Sequence, residues 1–246
     1  MDSFFDEKKE ELKKMQEVYE ADVVNSQAYQ QSFNYMKSLL DDFQKGLIII
    51  AMSSSRNHSA YMDSALMFSI TELVGSITSI RIISNELVMN ASKRELRYML
   101  EATIKYSAVD QFCKGQSLEE KLEFFYEKIP RSSISPLDEI HGLDDLMVTD
   151  TKELYSLLSQ FTHPSKRQIT EYKMQLDNKK IGFQDHKDLD TFNKLLFRTF
   201  DTIMYLCLRN QGPYVMKDFF YVLNEKKWKF HKGKHLGKLP NKYRKK

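Results

Sequence analysis

The sequence predicts an all-α fold, a multi-helix bundle with a long loop near residues 165–187 and a basic C-terminal tail. Three observations support this prediction. Apolar residues recur at the spacing of amphipathic helices over most of the chain. Gly and Pro are scarce, at 8 and 5 of 246 residues, whereas β-rich folds need both for their many turns. Capping boxes, in which a Ser and a later Glu satisfy each other's backbone N–H groups, mark two helix starts.

The first half of the chain contains four predicted helices. In the first of them, charged blocks alternate with a narrow apolar stripe. The third is apolar on most sides, which is typical of a helix at the centre of a bundle. The fourth begins at the capping box of Ser92 and Glu95. These helices are predicted at 3–22, 26–52, 58–88 and 92–113.

The second half contains five predicted helical segments. The capping box of Ser117 and Glu120 opens the first, and Asp150 is expected to cap the third. Gly212 and Pro213 separate the last two. These segments are predicted at 118–128, 135–142, 151–162, 188–209 and 214–224.

Residues 165–187 interrupt this helical pattern. They are polar and only weakly periodic, so we expect a long loop there. The loop has room for a short strand pair near 169–176 and 180–183.

A single helical domain is predicted over residues 1–225, because no internal repeat and no flexible linker divides the chain. No membrane span is expected. The most apolar short run, 47–52, is far shorter than the ~20 residues of a span, and residues 66–83 carry charges that favour a buried core helix. The N-terminus lacks the pattern of a signal peptide, and Cys113 and Cys207 form no disulfide framework, so we expect a cytoplasmic location.

Residues 226–246 form the predicted flexible basic tail. They contain ten Lys or Arg and no Asp or Glu, whereas the rest of the chain has a formal charge of −7. Lysines neutralise phosphates and aromatic rings stack on unpaired bases, so RNA or another nucleic acid is the predicted partner. A solubilising tail and a contact with anionic lipid or an acidic protein are the alternatives. The candidate nucleic-acid-binding residues are Lys226, Lys227, Trp228, Lys229, Lys232, Lys234, Lys242 and Arg244.

One polar constellation is a candidate catalytic site. Arg97 and Glu101 stand four residues apart and share one helix face, and Asp110 follows about two and a half turns later. Ser159 and His163 are likewise four apart at the end of another helix. If these helices pack together, the side chains form one cluster. The alternatives are a surface ion pair with a helix-ending histidine, or a buried and fully satisfied structural network.

The residues of this constellation carry a resemblance. The string Arg97-Tyr-Met-Leu-Glu101, then Asp110, then Leu158-Ser159-Gln-Phe-Thr-His163-Pro164-Ser165, is similar to motifs of uncharacterised prokaryotic helical proteins that resemble the HEPN superfamily. The resemblance covers roughly residues 60–210. It implies a helical bundle, often dimeric, with a role in phage defence or stress and an action on RNA.

The resemblance also implies roles for three residues. In a ribonuclease, His163 would be the acid or base, Arg97 would hold a phosphate, and Glu101 would orient one of them. The chain departs from the family pattern, however. HEPN ribonucleases have four to six residues between an Arg and a following His, and no His in this sequence has that spacing.

Other chemistries have weaker support. Ser159 and His163 lack the oxyanion site that a serine hydrolase needs. His231 and His235 have a metal-compatible spacing, but no further ligand lies nearby, so no metal is expected. No glycine-rich phosphate loop is present, and no cofactor is expected. The sequence therefore favours a nucleic-acid-associated protein, with a non-catalytic interaction module or a small-molecule-binding regulator as the alternative.

Overall fold

The computed structural model describes residues 2–85, 89–162, 165–177, 185–223 and 227–239. Across these residues the fold is all-α and contains no strand, which confirms the predicted fold class. A short π-helical segment, Glu20–Val24, follows the first helix, and single 3₁₀ turns cover Ser135–Glu139, Lys229–Lys232 and Leu236–Lys238. The helices are α1 Asp2–Tyr19, α2 Gln27–Ser54, α3 His58–Met62, α4 Ala65–Asn85, α5 Met89–Phe112, α6 Leu118–Lys128, α7 Asp145–Ser159, α8 Lys166–Asp177 and α9 His186–Val222.

Helices α2, α4, α5 and α9 form the centre of the bundle. The most extensive contacts join α2 to α9, α4 to α5, and α5 to α9. The rings of Phe43 on α2 and Phe200 on α9 stack with centroids 3.9 Å apart, and both side chains are fully buried. Burial of each large apolar side chain of this kind contributes roughly 1.5–3 kcal/mol. The packed apolar faces of these four helices therefore hold the fold together.

Helix α4 is the one described helix that is long and apolar enough to cross a membrane by length and composition. Its Leu66, Leu73, Ile77 and Ile80 are fully buried in the core cluster, among side chains of α2 and α5. This packing agrees with the sequence interpretation of a core helix.

Helix α4 starts later than the sequence predicts. The prediction of one helix over 58–88 is wrong, because the chain breaks at Asp63 and Ser64 into α3 and α4. The Asp110 carboxylate on α5 accepts the backbone N–H groups of Ala65 and Leu66 at 2.8 and 3.1 Å. A side chain from another helix thus caps α4 together with the local Ser64, whose hydroxyl accepts the N–H of Met67 at 3.2 Å.

Two of the predicted helix starts are also wrong. Ser92 lies inside α5, where it is fully buried and its hydroxyl contacts that of Ser84 at 3.1 Å. The cap of α7 lies six residues before the expected one, because Asp144 accepts the N–H of Met147 at 2.8 Å. The capping box of Ser117 at the start of α6 is confirmed.

The predicted long loop near 165–187 is largely wrong, because residues 166–177 form α8 and no strand pair occurs in the described part of that range. The Ser165 hydroxyl accepts the N–H of Gln168 at 3.2 Å, which starts the helix. Ile169 and Met174 on α8 are 65% and 58% exposed. These two apolar side chains therefore do not contribute to a buried stripe, which is the signal on which the sequence prediction depended. Residues 178–184 lie outside the described part.

Helix α9 bends where the sequence predicts a break. Gly212 has a φ of +83°, a conformation that favours glycine, and Pro213 follows it. The predicted segments 188–209 and 214–224 thus correspond to the two halves of one kinked helix. The kink places Arg209, Asn210 and Gln211 at one end of the bundle.

Residues 227–239 correct the prediction of a flexible tail from residue 226. Trp228 and Phe230 are 3% and 0% exposed and belong to the core cluster, as do Leu236 and Leu239. The apolar side chains are too widely and irregularly spaced to give helical periodicity, yet they still bury against α2 and α9. We call residues 227–239 the C-terminal segment.

Candidate functional site

Arg97 and Glu101 lie in a polar network between α5 and α7. Arg97 Nε donates to Ser159 Oγ at 3.0 Å. Arg97 Nη2 donates to Tyr155 Oη at 2.6 Å and lies 3.2 Å from Glu101 Oε2. Tyr155 Oη in turn donates to the same carboxylate oxygen at 3.0 Å, and Lys105 Nζ donates to Glu101 Oε1 at 2.6 Å. These five residues form the Arg97 network.

The Arg97 network is nearly closed to solvent. The side chains of Arg97, Glu101 and Lys105 are 19%, 13% and 7% exposed. Burial raises the pKa of the Tyr155 hydroxyl, and the neighbouring Glu101 carboxylate raises it further. The second bond of Lys105 goes to the carbonyl of Arg131 at 2.7 Å. Each charged group therefore already has partners, which is what buried charges require.

The structure brings together only part of the predicted constellation. Ser159 belongs to the network, and its hydroxyl donates to the carbonyl of Tyr155 at 2.7 Å. His163 lies outside the described residues. Asp110 lies elsewhere, beside α4 and α6.

Asp110 forms a second, separate buried pair. Its Oδ1 lies 3.1 Å from Lys121 Nζ on α6, and both side chains are 7% exposed. The same Oδ1 accepts the N–H of Ala65 at 2.8 Å, and Asp110 Oδ2 accepts from the Ser64 hydroxyl at 2.6 Å and from the N–H of Leu66 at 3.1 Å. Asp110 is therefore a helix cap and ion-pair partner at the floor of a cleft of about 610 Å³.

The C-terminal segment packs in a fixed orientation on α2 and α9. The Phe230 ring stacks on Phe197 of α9 with centroids 5.2 Å apart. Trp228 Nε1 donates to the carbonyl of Asp42 on α2 at 3.2 Å, and the backbone N–H of Lys229 donates to the Asp42 carboxylate at 2.7 Å. The aromatic side chains thus attach the segment to the core.

Asp201 provides a polar attachment for the same segment. This α9 carboxylate is 2% exposed and accepts the backbone N–H groups of His235 and Leu236 at 2.8 and 3.1 Å. Burial raises the pKa of Asp201 to about 6, although these hydrogen bonds act in the opposite direction. Burial also lowers the pKa of His235. Gly233 lies so close to Asp201 that a Cβ atom would collide with the carboxylate.

The lysines of the C-terminal segment divide into two groups. Lys234 pairs with Asp150, and Lys238 lies 3.1 Å from Asp144, so their charges are compensated. Lys227, Lys229 and Lys232 are exposed and pair with no carboxylate among the described residues. The other predicted contact residues, Lys226, Lys242 and Arg244, lie outside the described part, and buried Trp228 cannot stack on a base.

Sequence reasoning missed four residues that organise these sites, namely Lys105, Lys121, Tyr155 and Asp201. Tyr155 lies four residues before Ser159, and this helical spacing could have placed it in the network. Asp201 stands among apolar residues of a strong helix, which signals a buried carboxylate with a specific partner. Lys121 carries no local signal, because only tertiary packing brings it to Asp110.

The described residues contain no group of three or more His, Cys, Asp or Glu side chains arranged to hold a metal ion. His231 Nδ1 contacts the carbonyl of Trp228 at 2.7 Å, whereas His235 Nε2 lies 3.6 Å from Asp150. The two histidines thus have separate structural partners.

No protein-family model matches the chain, and comparisons with curated proteins and with solved structures find no significant match. The fold and the geometry of these sites are therefore the basis for assigning a function.

Proposed function

We propose that this protein is a cytoplasmic helical bundle that binds RNA through the phosphate backbone. The orientation of the C-terminal segment carries the proposal. Trp228 and Phe230 are buried, while Lys227, Lys229 and Lys232 are exposed. Packing thus holds three cations on one short segment, at a smaller entropic cost of binding than a free chain would have.

Helix α9 extends this positively charged region. Phe197, which stacks on Phe230, lies one turn from Lys194 and next to Arg198, and both of these cations are exposed. Neither pairs with a carboxylate in the described part of the chain. We call Lys194, Arg198, Lys227, Lys229 and Lys232 together the C-terminal basic surface. Uncompensated cations of this kind attract a polyanion and favour phosphates as partners.

The mode of binding follows from the burial of the aromatic rings. Because Trp228 and Phe230 are committed to the core, they are not available for stacking on unpaired bases. Contacts from lysine and arginine to phosphates carry no base information. We therefore expect binding that depends weakly on sequence and strongly on salt.

The Arg97 network favours a binding protein over a ribonuclease. Its cation and carboxylate already bond to each other and to Tyr155, so neither is poised to hold a substrate phosphate. The HEPN-like defence or stress role and the homodimer implied by the resemblance stay predictions. Ribonuclease activity would require His163, so cleavage of RNA that disappears in His163→Ala would favour the catalytic alternative.

The proposal is tested by the affinity for a labelled single-stranded RNA, measured by fluorescence anisotropy. In the test variant Lys227, Lys229 and Lys232 are all changed to Gln. Three surface contacts of about 0.5–1 kcal/mol each predict a loss of affinity of about tenfold or more.

The matched control changes Lys9, Lys13 and Lys14 on α1 to Gln. These side chains are exposed, and the substitutions alter the net charge by the same amount. The control should lose less than about twofold, since it removes only long-range charge. Equal losses in the two variants would contradict the proposal.

A further inference from the structure

A cleft beside Asp110 is lined by none of the residues of the C-terminal basic surface. It lies where α3, the end of α5, α6 and the kink of α9 converge, and its volume is about 610 Å³. Pockets that hold small molecules usually measure about 300–1,000 Å³. The size of the cleft therefore suits a compact organic ligand.

The floor of the cleft is fixed and electrically neutral. Asp110 and Lys121 pair at 3.1 Å, and Lys121 Nζ also donates to the carbonyl of Asp63 at 2.5 Å. Asp110 is occupied by Ser64 and by the first N–H groups of α4. This pair is committed to the fold, so it is not available to bind a ligand.

Two further cations line the cleft, and no carboxylate in the described part of the chain neutralises their charges. Lys114 and Arg209 line the cleft, and neither pairs with a carboxylate among the described residues. Arg209 Nη2 donates to the carbonyl of Gly142 at 2.6 Å, which leaves its charge in place. Gly142 has a φ of +78°, and a Cβ at this position would collide with the guanidinium. The glycine thus lets the backbone hold Arg209 at the cleft.

The lining as a whole is slightly positive. Lys114, Lys121 and Arg209 oppose the carboxylates of Asp63 and Asp110. With the floor pair neutral, two cations and the Asp63 carboxylate remain. An anionic group that contacts both cations is therefore favoured over a cationic one.

The rest of the lining combines an apolar wall with neutral polar groups. Ile140, Leu143 and Leu206 supply the apolar surface. Ser107 also lines the cleft, is 3% exposed, and has a hydroxyl without a hydrogen-bond partner in the structure. A buried hydroxyl without a hydrogen bond is unfavourable, and a bound ligand could supply the missing partner. A few polar groups beside apolar walls are typical of small-molecule sites.

We propose that this cleft binds a small organic anion, in which one phosphate or carboxylate is joined to a compact apolar group. The acidic group lies between Lys114 and Arg209, and the apolar part packs on Ile140, Leu143 and Leu206. This site is independent of the C-terminal basic surface.

Isothermal titration calorimetry with phenyl phosphate, phenylacetate, inorganic phosphate and phenol tests the proposal on the full chain. The first two probes carry both the anion and the ring, whereas each of the last two lacks one of them. At least one of the first two should bind saturably at one site and more tightly than the last two. The tighter of phenyl phosphate and phenylacetate identifies the acidic group. Absence of saturable binding by both at millimolar concentration would overturn the proposal.

Two variants locate the binding site. Lys114→Gln and Arg209→Gln should each weaken the better probe by about tenfold or more, since each removes a charge-assisted hydrogen bond. Lys13→Gln on α1 is the matched control and should change the affinity less than about twofold. Lys114 is exposed and without a structural bond in the described residues, so its variant should fold normally even if Arg209→Gln does not.

Equal binding by all three variants would overturn the site. So would the finding that an RNA oligonucleotide, and neither aromatic anion, binds in a manner sensitive to Lys114→Gln. The variant with Lys227, Lys229 and Lys232 changed to Gln should lose RNA binding and still bind the probe. That result would show that the cleft and the C-terminal basic surface are separate sites.

Discussion

Arg97, Glu101 and Lys105 pair their charges with one another, whereas Lys227, Lys229 and Lys232 are exposed and pair with no carboxylate among the described residues. The first group lies on α5, is nearly closed to solvent, and is joined to α7 by the hydrogen bonds of Arg97 and Glu101 to Tyr155 and of Arg97 to Ser159. The second lies on a segment held by buried rings and by Asp201. Both regions are rich in charge, yet only the exposed one leaves cations uncompensated. A charged residue that has a partner in the fold supports stability, and one without a partner is available for binding.

The largest predicted effect is a loss of stability when the Arg97 network is disrupted. Glu101→Ala leaves Arg97 and Lys105 without their carboxylate and should lower the free energy of unfolding by about 3–5 kcal/mol. Urea denaturation measures the change. Asp138→Ala is the control, because its pair with Lys152 is about half exposed and should contribute less than about 1 kcal/mol. Similar losses in the two variants would show that the Arg97 network is not a structural core element.

The next effect concerns the attachment of the C-terminal segment. Burial raises the pKa of Asp201 to about 6 in the folded protein, whereas the unfolded chain has a carboxyl pKa of about 3.9. The folded state therefore retains a proton that the unfolded state has lost. The contribution of Asp201 to stability is fully present below about pH 4 and is lost as the pH rises through about 6, with a total of at most about 2–3 kcal/mol.

Asp201→Asn cannot titrate and should remove this dependence. Thermal or urea unfolding of both proteins between pH 4 and 7 gives the difference in stability. His235 acts in the opposite direction, because burial lowers its pKa and its contribution is lost as the pH falls below about 6.5. Since both proteins contain His235, the difference isolates Asp201. If the stabilities of the wild type and Asp201→Asn changed with pH in the same way, the raised pKa of Asp201 would be contradicted.

A smaller effect is expected from the close approach of Gly233 to Asp201. Gly233→Ala places a Cβ against the carboxylate and should destabilise the protein by about 1–3 kcal/mol. Gly237→Ala is the matched control in the same segment, because nothing lies within 4 Å of its Cβ position. The first variant should also weaken RNA binding by displacing the segment, and the second should not. Unchanged stability in Gly233→Ala would indicate that the segment is loosely held.

Periodicity and composition were sufficient for the all-α class, for most helices and for the break at Gly212. They were not sufficient where tertiary contacts decide local structure. Asp110, which lies on α5, caps α4. Helix α7 is capped by Asp144 instead of the expected Asp150. Lysines dominate the composition of the C-terminal segment, so the sequence predicts a flexible tail there. The segment is packed on the core through four separated apolar side chains, which are Trp228, Phe230, Leu236 and Leu239.

For the candidate site too, local spacing was predictive and tertiary packing was not predictable. The spacing of Arg97 and Glu101 correctly placed them on one face, and Ser159 does meet them. The helical spacing could place Tyr155 beside Ser159 and Lys105 beside Glu101, but it could not show that the network closes, because closure depends on the angle at which α5 and α7 pack. It likewise could not show that Asp110 points away from this network, towards α6.

The salt dependence of RNA binding tests the central claim most directly. The logarithm of the association constant for a single-stranded RNA is measured against the logarithm of salt concentration, for the wild type and for the triple Gln variant at Lys227, Lys229 and Lys232. Each phosphate contact contributes about 0.7 to the slope for a single strand, so the variant should have a slope smaller in magnitude by about 2. Its free energy of unfolding should change by less than about 0.5 kcal/mol per substitution. Equal slopes, with the fold intact, would contradict binding through these lysines.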